Sequence, residues 1–371
     1  MPVAPQEQPP PAAAPPQPSR LGRAASAASV GLVLAAFGLT VAGRTLAAPP
    51  APLAAAVLFL PYVYLAVAAA VFAAWTAAPD RRAPPVALAA LLLTGGWLWL
   101  PAPTSPAPEP GAAQVRVVTW NLQRLWGRPD AGRCAAAVLE SEHAEVVALL
   151  EVSARDLDQL PGLVCRHHTY TSAAGPDRGG IAVCTRGDRW SLTAADAAKF
   201  VDDEDWYYQL GEFSSGDHVF NVLAAHLYPY RGVARTLARG LADVDPAAVL
   251  AAQERSRAVS RGQSDQAAAL LARVRGLRDA TVVAGDLNST PDAALHVALR
   301  RHLDDAWSSA GTGFGGTVTR FGLPLRVDYV YTTPGTVALA AKVVAAGCSD
   351  HDPVVVDLAV PARLSPARAG R

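Results

Sequence analysis

Apolar positions follow two regimes along the chain. Up to residue 108 they run almost without interruption. Ala24–Gly43 is a 20-residue stretch without charge, Thr45–Pro79 contains the strongly apolar Ala51–Ala78, and Ala83–Pro108 contains VALAALLLTGGWLWL from Val86 to Leu100. A helix rises about 1.5 Å per residue and a bilayer core is about 30 Å thick, so the three runs are read as membrane spans. Pro61 predicts a kink in the second run, and Trp97 and Trp99 suit an interfacial belt at the end of the short third. A single cleavable signal would leave two apolar runs unexplained. From Gln114 short apolar runs alternate with helical stretches. Strands are predicted at Val115–Thr119, Val146–Leu150, Gly180–Thr185, Thr281–Ala284, Val327–Thr332 and Val354–Leu358, and helices at Ala131–Glu142 and Gln253–Arg275. Phe213–Phe220 reads as a hairpin arm running into Val222–Ala225. This alternation predicts an α/β domain.

The pattern divides the chain into a disordered Pro/Ala/Gln-rich segment (1–23), a three-helix transmembrane region (24–100), a stiff Pro-rich linker (101–113), a catalytic domain (114–360) and a tail (361–371). Cations favour the cytoplasmic side. With Arg20, Arg23, Arg81 and Arg82 inside and Arg44 outside, three spans place the domain outside the cytoplasm, as a multi-pass cell-membrane protein.

Charge and cysteine content narrow the function. Residues 111–371 hold 27 basic and 29 acidic residues, a net of −2, without the basic excess of a non-specific nucleic-acid binder, although a local patch fits within a neutral total. The cysteines, Cys134, Cys165, Cys184 and Cys348, lack CxxC spacing, which argues against a zinc site. Outside the membrane they permit one or two disulfides, with three complete pairings; buried free thiols are the alternative.

Polar residues recur where strands end. Asn121 follows Val115–Thr119, Glu151 follows VVALL, and His226 follows NVLAA. Gly285 is read as a turn, from which Asp286 and Asn288 project together at i and i+2. Asp328 lies in RVDYVY, and Asp350 and His351 precede the last strand. Ligand sites of α/β sheets form at such ends, so these eight residues from six segments predict one shared site. Asn121, Glu151 and Asp350 offer oxygen ligands suited to Mg²⁺, Mn²⁺ or Ca²⁺. His226 and His351 can move protons or contact phosphate, Asp328 can orient His351, and Asp286 can orient or deprotonate a water. Tyr230, Arg231 and Arg178 are candidate substrate contacts. His143, His167, His168, His218, His296 and His302 have no motif context and are assigned to surface or packing.

WNL at 120–122, Glu151 after an apolar strand, HLYP at 226–229, GDLN at 285–288, RVDYV at 326–330 and SDHDPV at 349–354 occur in an order that resembles the endonuclease/exonuclease/phosphatase (DNase I-like) superfamily. The resemblance covers about residues 114–360 and implies a four-layer α/β sandwich, two packed mixed sheets flanked by helices. It also implies Glu151 as the main metal ligand with Asn121 and Asp350 nearby, Asp286 on the water, and Asn288 on the pentavalent phosphate. An Asp328–His351 dyad and His226 on phosphate or leaving group complete the set, with Mg²⁺, or Mn²⁺, as cofactor. The family's first acidic motif usually carries Gln before Glu; here Leu150 precedes Glu151.

The membrane layout is similar to that of the actinobacterial teicoplanin-resistance type. That likeness implies an extracytoplasmic phosphatase acting on a prenyl or lipid pyrophosphate. A tethered extracellular DNase with nucleic acid as substrate, a phospholipid phosphodiesterase and an inactive membrane scaffold are the alternatives. No protein partner is implied.

Overall fold

A computed structural model describes residues 20–77, 83–99, 105–125, 130–170, 179–201, 206–230 and 232–363. The N-terminal region holds helices α1 (Arg20–Thr45), α2 (Ala51–Leu58), α3 (Leu60–Ala77) and α4 (Ala83–Trp99). Three spans were expected. Among the described residues two helices, α1 and α3, are long and apolar enough to cross a membrane. The 17 residues of α4 reach only about 25 Å at the helical rise, short of a bilayer core. Its shorter apolar stretch, Pro84–Gly96, packs through Leu91 against Ala36, Leu60 and Tyr64 of α1 and α3. Leu34, Phe37, Leu65, Phe72 and Leu93 point outward from these helices.

The predicted kink at Pro61 is a break two residues earlier, at Phe59. Proline removes the N–H that would reach the Val57 carbonyl four residues back. Thr290 Oγ1 of the following domain donates to that carbonyl at 3.4 Å instead.

The domain begins with β1 (Ala113–Asn121), α5 (Ala131–Ser141), β2 (Val146–Val152), α6 (Ala154–Leu157), β3 (Leu163–Thr169), β4 (Gly180–Arg186), β5 (Ser191–Lys199), β6 (Tyr207–Ser215) and β7 (His218–His226). The predicted arm Phe213–Phe220 straddles the turn between β6 and β7, because Gly216 and Asp217 interrupt it. After β7 come α7 (Val233–Ala242), α8 (Pro246–Arg275), β8 (Ala280–Asp286), α9 (Ala294–Leu299), β9 (Asp304–Asp305) and α10 (Ala306–Ala310). The chain ends with the β10 (Val318–Arg320)/β11 (Leu323–Leu325) hairpin, then β12 (Asp328–Thr332), β13 (Val337–Val343) and β14 (Val354–Val360).

Two six-stranded sheets result, ordered β13-β14-β1-β2-β4-β3 and β5-β6-β7-β8-β12-β9. Both are mixed: β1–β2 and β7–β8 are parallel and their neighbours antiparallel. Side chains alternate across each strand, and the central strands are buried on both faces. Val146, Ala148 and Leu150 of β2 meet Phe220, Val222 and Ala224 of β7 between the sheets. Val147 and Leu149 face Ala135 and Leu139 of α5 on one outer side. Leu223 and Val283 face Leu270 and Val274 of α8 on the other. The result is the expected four-layer sandwich.

All four cysteines are paired, Cys134 with Cys348 and Cys165 with Cys184. The second bridge joins directly opposed residues of β3 and β4. The first ties α5 to the loop that carries Ser349, Asp350 and His351.

Candidate active site

Register assembles half of the site. Across three adjacent strands, His226 of β7 lies opposite Asp286 of β8, and Asp286 opposite Asp328 of β12. Side chains in one row of a sheet share a face, so two carboxylates and an imidazole converge. Gly285, expected as a turn, lies inside β8 instead; a Cβ there would collide with the Ala225 carbonyl of β7. The turn follows Asp286. Asn288 N–H donates to Asp286 Oδ1 at 2.8 Å, and Asn288 sits at φ 49°, so this local turn, not extended chain, brings the two residues together. The Asn288 amide donates onward to the Leu227 carbonyl at 2.9 Å.

The other sheet supplies Asn121 and Glu151. Glu151 occupies a bulge, where the β2–β4 register shifts between Leu150 and Val152, and has φ 49°. A bulge re-aims a side chain at a sheet end, and a left-handed non-glycine residue costs about 1–3 kcal/mol. Asn121 Nδ2 donates to Asp286 Oδ2 at 3.1 Å and to Glu151 Oε1 at 3.3 Å, while its oxygen accepts from Gln123 N–H. His226 Nε2 stands 3.7 Å from Glu151 Oε1 and 3.6 Å from Asp286 Oδ2. His351 Nδ1 lies 2.8 Å from Asp328 Oδ2, and its Nε2 is 3.9 Å from Asp286 Oδ2. The Trp120 indole donates to the His351 carbonyl, and Ser349 Oγ donates to the Asn121 carbonyl, so the last loop is pinned to the end of β1.

Burial and repulsion from Asp328 lift the Asp286 carboxyl far above the usual carboxylate range. Burial opposes protonation of His351, but Asp328 and then Asp286 outweigh it and hold the ring cationic at neutral pH. The site thus pairs a carboxylate poised to take a proton with a fixed cation.

Seven expected residues meet: Asn121, Glu151, His226, Asp286, Asn288, Asp328 and His351. Asp350, expected beside a metal, turns to Arg320, whose guanidinium donates to Asp350 Oδ2 at 3.3 Å. Tyr230, expected on substrate, bonds Ser260 Oγ at 2.6 Å and lines a cavity of about 90 Å³ between α1–α2 and the domain. Arg231 and Arg178 lie outside the described residues. His296, assigned to surface or packing, is fully buried against Tyr331 and the Ser289 carbonyl, beneath the loop that follows Asn288.

Tyr170 was not anticipated beside these residues. The Tyr170 hydroxyl lies 3.4 Å from His226 Nδ1, and burial, then Glu151 and Asp286, keep this phenol protonated. Trp206 packs edge-on against the His226 ring at 5.0 Å. Tyr170 follows the polar run His167-His168-Thr169, so no apolar periodicity marks it.

The donor set fits a hard divalent cation. Asp286 and Asp328 bring carboxylate oxygens within 4.8 Å of each other beside the cationic His351 ring, and Asp328 Oδ1 is buried with no hydrogen-bond partner. Carboxylate oxygens dominate, as Mg²⁺ or Mn²⁺ requires.

The profile of the Endonuclease/Exonuclease/phosphatase family matches residues 118–351. No curated protein matches the sequence. Among solved structures, an endonuclease/exonuclease/phosphatase from Bacteroides vulgatus is 15% identical, with 67% of this chain and 100% of that chain covered at a TM-score of 0.51. D. rerio TDP2 complexed with single strand DNA product is 12% identical, with 66% and 99% covered at 0.52. A functionally unknown conserved protein from Enterococcus faecalis V583 is 12% identical, with 67% and 100% covered at 0.51. At these identities the structures share the fold, and the sequence profile carries the assignment: the chain belongs to the endonuclease/exonuclease/phosphatase family.

Proposed function

We propose that this protein is a membrane-anchored, metal-dependent phosphatase whose catalytic domain lies outside the cytoplasm and acts on a prenyl or lipid pyrophosphate. Members of its family hydrolyse phosphoester bonds. The observation that carries the finer reading is the contact between the loop that follows Asn288 and the apolar helices. Asp292, four residues past Asn288, accepts from Arg44 at the end of α1 at 2.9 and 2.7 Å. A phosphate entering this site therefore stands close to the end of a helix suited to cross a bilayer. A small apolar cavity lined by Val57, Leu58, Ser289 and Thr290 lies between these helices and the loop that follows Asn288. Two disulfides that use every cysteine favour an oxidising compartment for the domain.

The chemistry is hydrolysis at the terminal phosphorus. Asp286 orients a water and takes its proton as the water oxygen bonds to phosphorus. The bond from phosphorus to the bridging oxygen breaks, releasing inorganic phosphate and leaving a lipid monophosphate. His351, held cationic by Asp328, stabilises charge on the phosphoryl oxygens, with Asn288 beside it. His226, packed by Tyr170 and Trp206, faces the leaving oxygen. A divalent cation bound among Glu151 and the neighbouring carboxylates would supply charge neutralisation.

The test is phosphate release from a polyprenyl pyrophosphate by the full-length protein with Mg²⁺, with Asp286→Ala and His351→Ala as controls. Release lost in both variants supports the reading. Plasmid nicking without phosphate release replaces it with a tethered nuclease, the reading that the TDP2 complex with a DNA product favours.

A further inference from the structure

The α7–α8 hairpin leaves a set of large apolar side chains in solvent. Leu241 exposes 64% of its surface, Val244 84% and Leu250 60%, all at or beside the hairpin tip. Val244 takes φ 49° at the turn. In water such a position favours Gly, Asn or Asp, and a β-branched apolar residue there is out of place. On the β10–β11 hairpin, Phe321 exposes 82%.

One short element touches both hairpins, the α7–α8 pair along its body. Helix α2 is eight residues, about 12 Å long, and runs between the end of α1 and the start of α3. Its first residue, Ala51, is buried against Val233, Leu237 and Ala252 of α7 and α8. At its other end the Phe59 ring lies 6.1 Å from that of Phe321, and the Tyr62 hydroxyl donates to the Pro324 carbonyl at 2.6 Å. The two hairpins thus flank the outer end of the apolar helix bundle.

Charge is graded along the α7–α8 hairpin. Asp243 and Asp245 flank Val244 at the tip, and arginines stand further back on both helices. Arg235, Arg239, Arg255 and Arg261 are exposed. Exposed Leu, Val and Phe ahead of a band of arginine suit a lipid interface, where apolar tips reach toward the acyl region and the guanidinium groups behind them meet anionic headgroups. A nucleic-acid groove would present arginine without that apolar rim.

We infer that the tips of the α7–α8 and β10–β11 hairpins form a second contact with the bilayer, seated among anionic headgroups on either side of α2. The inference rests on the membrane-anchored reading and is independent of the substrate. The contact fixes the domain's tilt, so that the strand ends bearing His226 and Asp286 stay at headgroup level. Without it the domain would be held only by its junction with α1–α3.

The test uses spin labels, because all four native cysteines are in disulfides and leave no competing thiol. Full-length protein carrying Val244→Cys, Leu250→Cys or Phe321→Cys is labelled with a nitroxide and reconstituted into phosphatidylcholine/phosphatidylglycerol vesicles. Asp217→Cys, in the turn at the opposite end of β7 from His226, is the control. Collisions with oxygen, which concentrates in lipid, are compared with collisions with a water-soluble nickel chelate. Oxygen contact with shielding from nickel at 244, 250 and 321, and the reverse at 217, is the expected result. Labels at those three positions that behave like 217 would overturn the inference while leaving the anchor intact. Protein that fails to stay with the vesicles would overturn the anchor itself. Shielding produced by added duplex DNA instead of lipid would reassign the patch to nucleic acid.

Discussion

His351 Nδ1 lies 2.8 Å from Asp328 Oδ2, and both residues are buried. The carboxylate fixes the ring and keeps it protonated, so the cation is built into the site before substrate arrives. Asp328→Asn retains the shape and removes the charge. It is expected to lower kcat by about 10²–10⁴-fold, the usual worth of a positioned proton-transfer group, with little change in Tm. Steady-state kinetics beside thermal unfolding checks this; unchanged kcat would remove the dyad from the mechanism.

Arg44 and Asp292 join the helix bundle to the catalytic loop. The Asp292 side chain is 2% exposed and that of Arg44 30%, so water screens the pair only in part. Arg44→Ala should cost about 1.5–3 kcal/mol, the range for hydrogen bonds to charged groups, and should also raise KM for a membrane-borne substrate. Arg44→Lys should recover part of both. Unfolding in detergent and kinetics in vesicles measure the two effects, and a change in stability alone would make the bridge purely structural.

The Cys134–Cys348 bridge closes a separation of 214 residues and ends one residue before Ser349. Replacing both cysteines by serine should destabilise the protein by about 2–5 kcal/mol and loosen the loop that carries His351. The Cys165–Cys184 bridge sits in β3 and β4, away from that loop, so its serine pair should lower Tm with kcat nearly unchanged. Equal losses of kcat in both double variants would contradict this division.

His296 gives the fold a dependence on pH. Burial, with Arg300 and Arg326 nearby, holds its ring neutral, well below the ordinary 6.5. The unfolded chain binds that proton more readily, so the stability His296 contributes is full above pH 6.5 and is lost as pH falls below it. Tm should decline between pH 7 and 5, and His296→Gln should flatten the decline while lowering Tm at pH 7. An identical slope in the variant would assign the acid sensitivity elsewhere.

What the sequence revealed and what it hid follow from the signals available. The site was legible because Asn121, Glu151, His226, Asp286 and Asp328 are polar groups at the ends of apolar strands. β5 was hidden because SLTAADAAK is a mostly exposed edge strand with no clean alternation. β3 was hidden because LVCRHHT has polar groups on both faces. The pairing of Cys134 with Cys348 depends on where α5 meets the loop before β14, which no spacing encodes. Tyr230 misled because it follows His226 closely in sequence, yet the chain turns there and carries it to Ser260. Asp350 misled because its neighbour His351 points inward while it points out to Arg320.

The central claim is that the site serves a phosphate carried by lipid. Its most direct test is one ratio: kcat/KM of the full-length protein in vesicles on a polyprenyl pyrophosphate, against kcat/KM on DNA phosphodiester under the same Mg²⁺. The account predicts a ratio far above one, with phosphate release lost in Asp286→Ala and His351→Ala. A ratio below one, with nicking lost in the same variants, would contradict it.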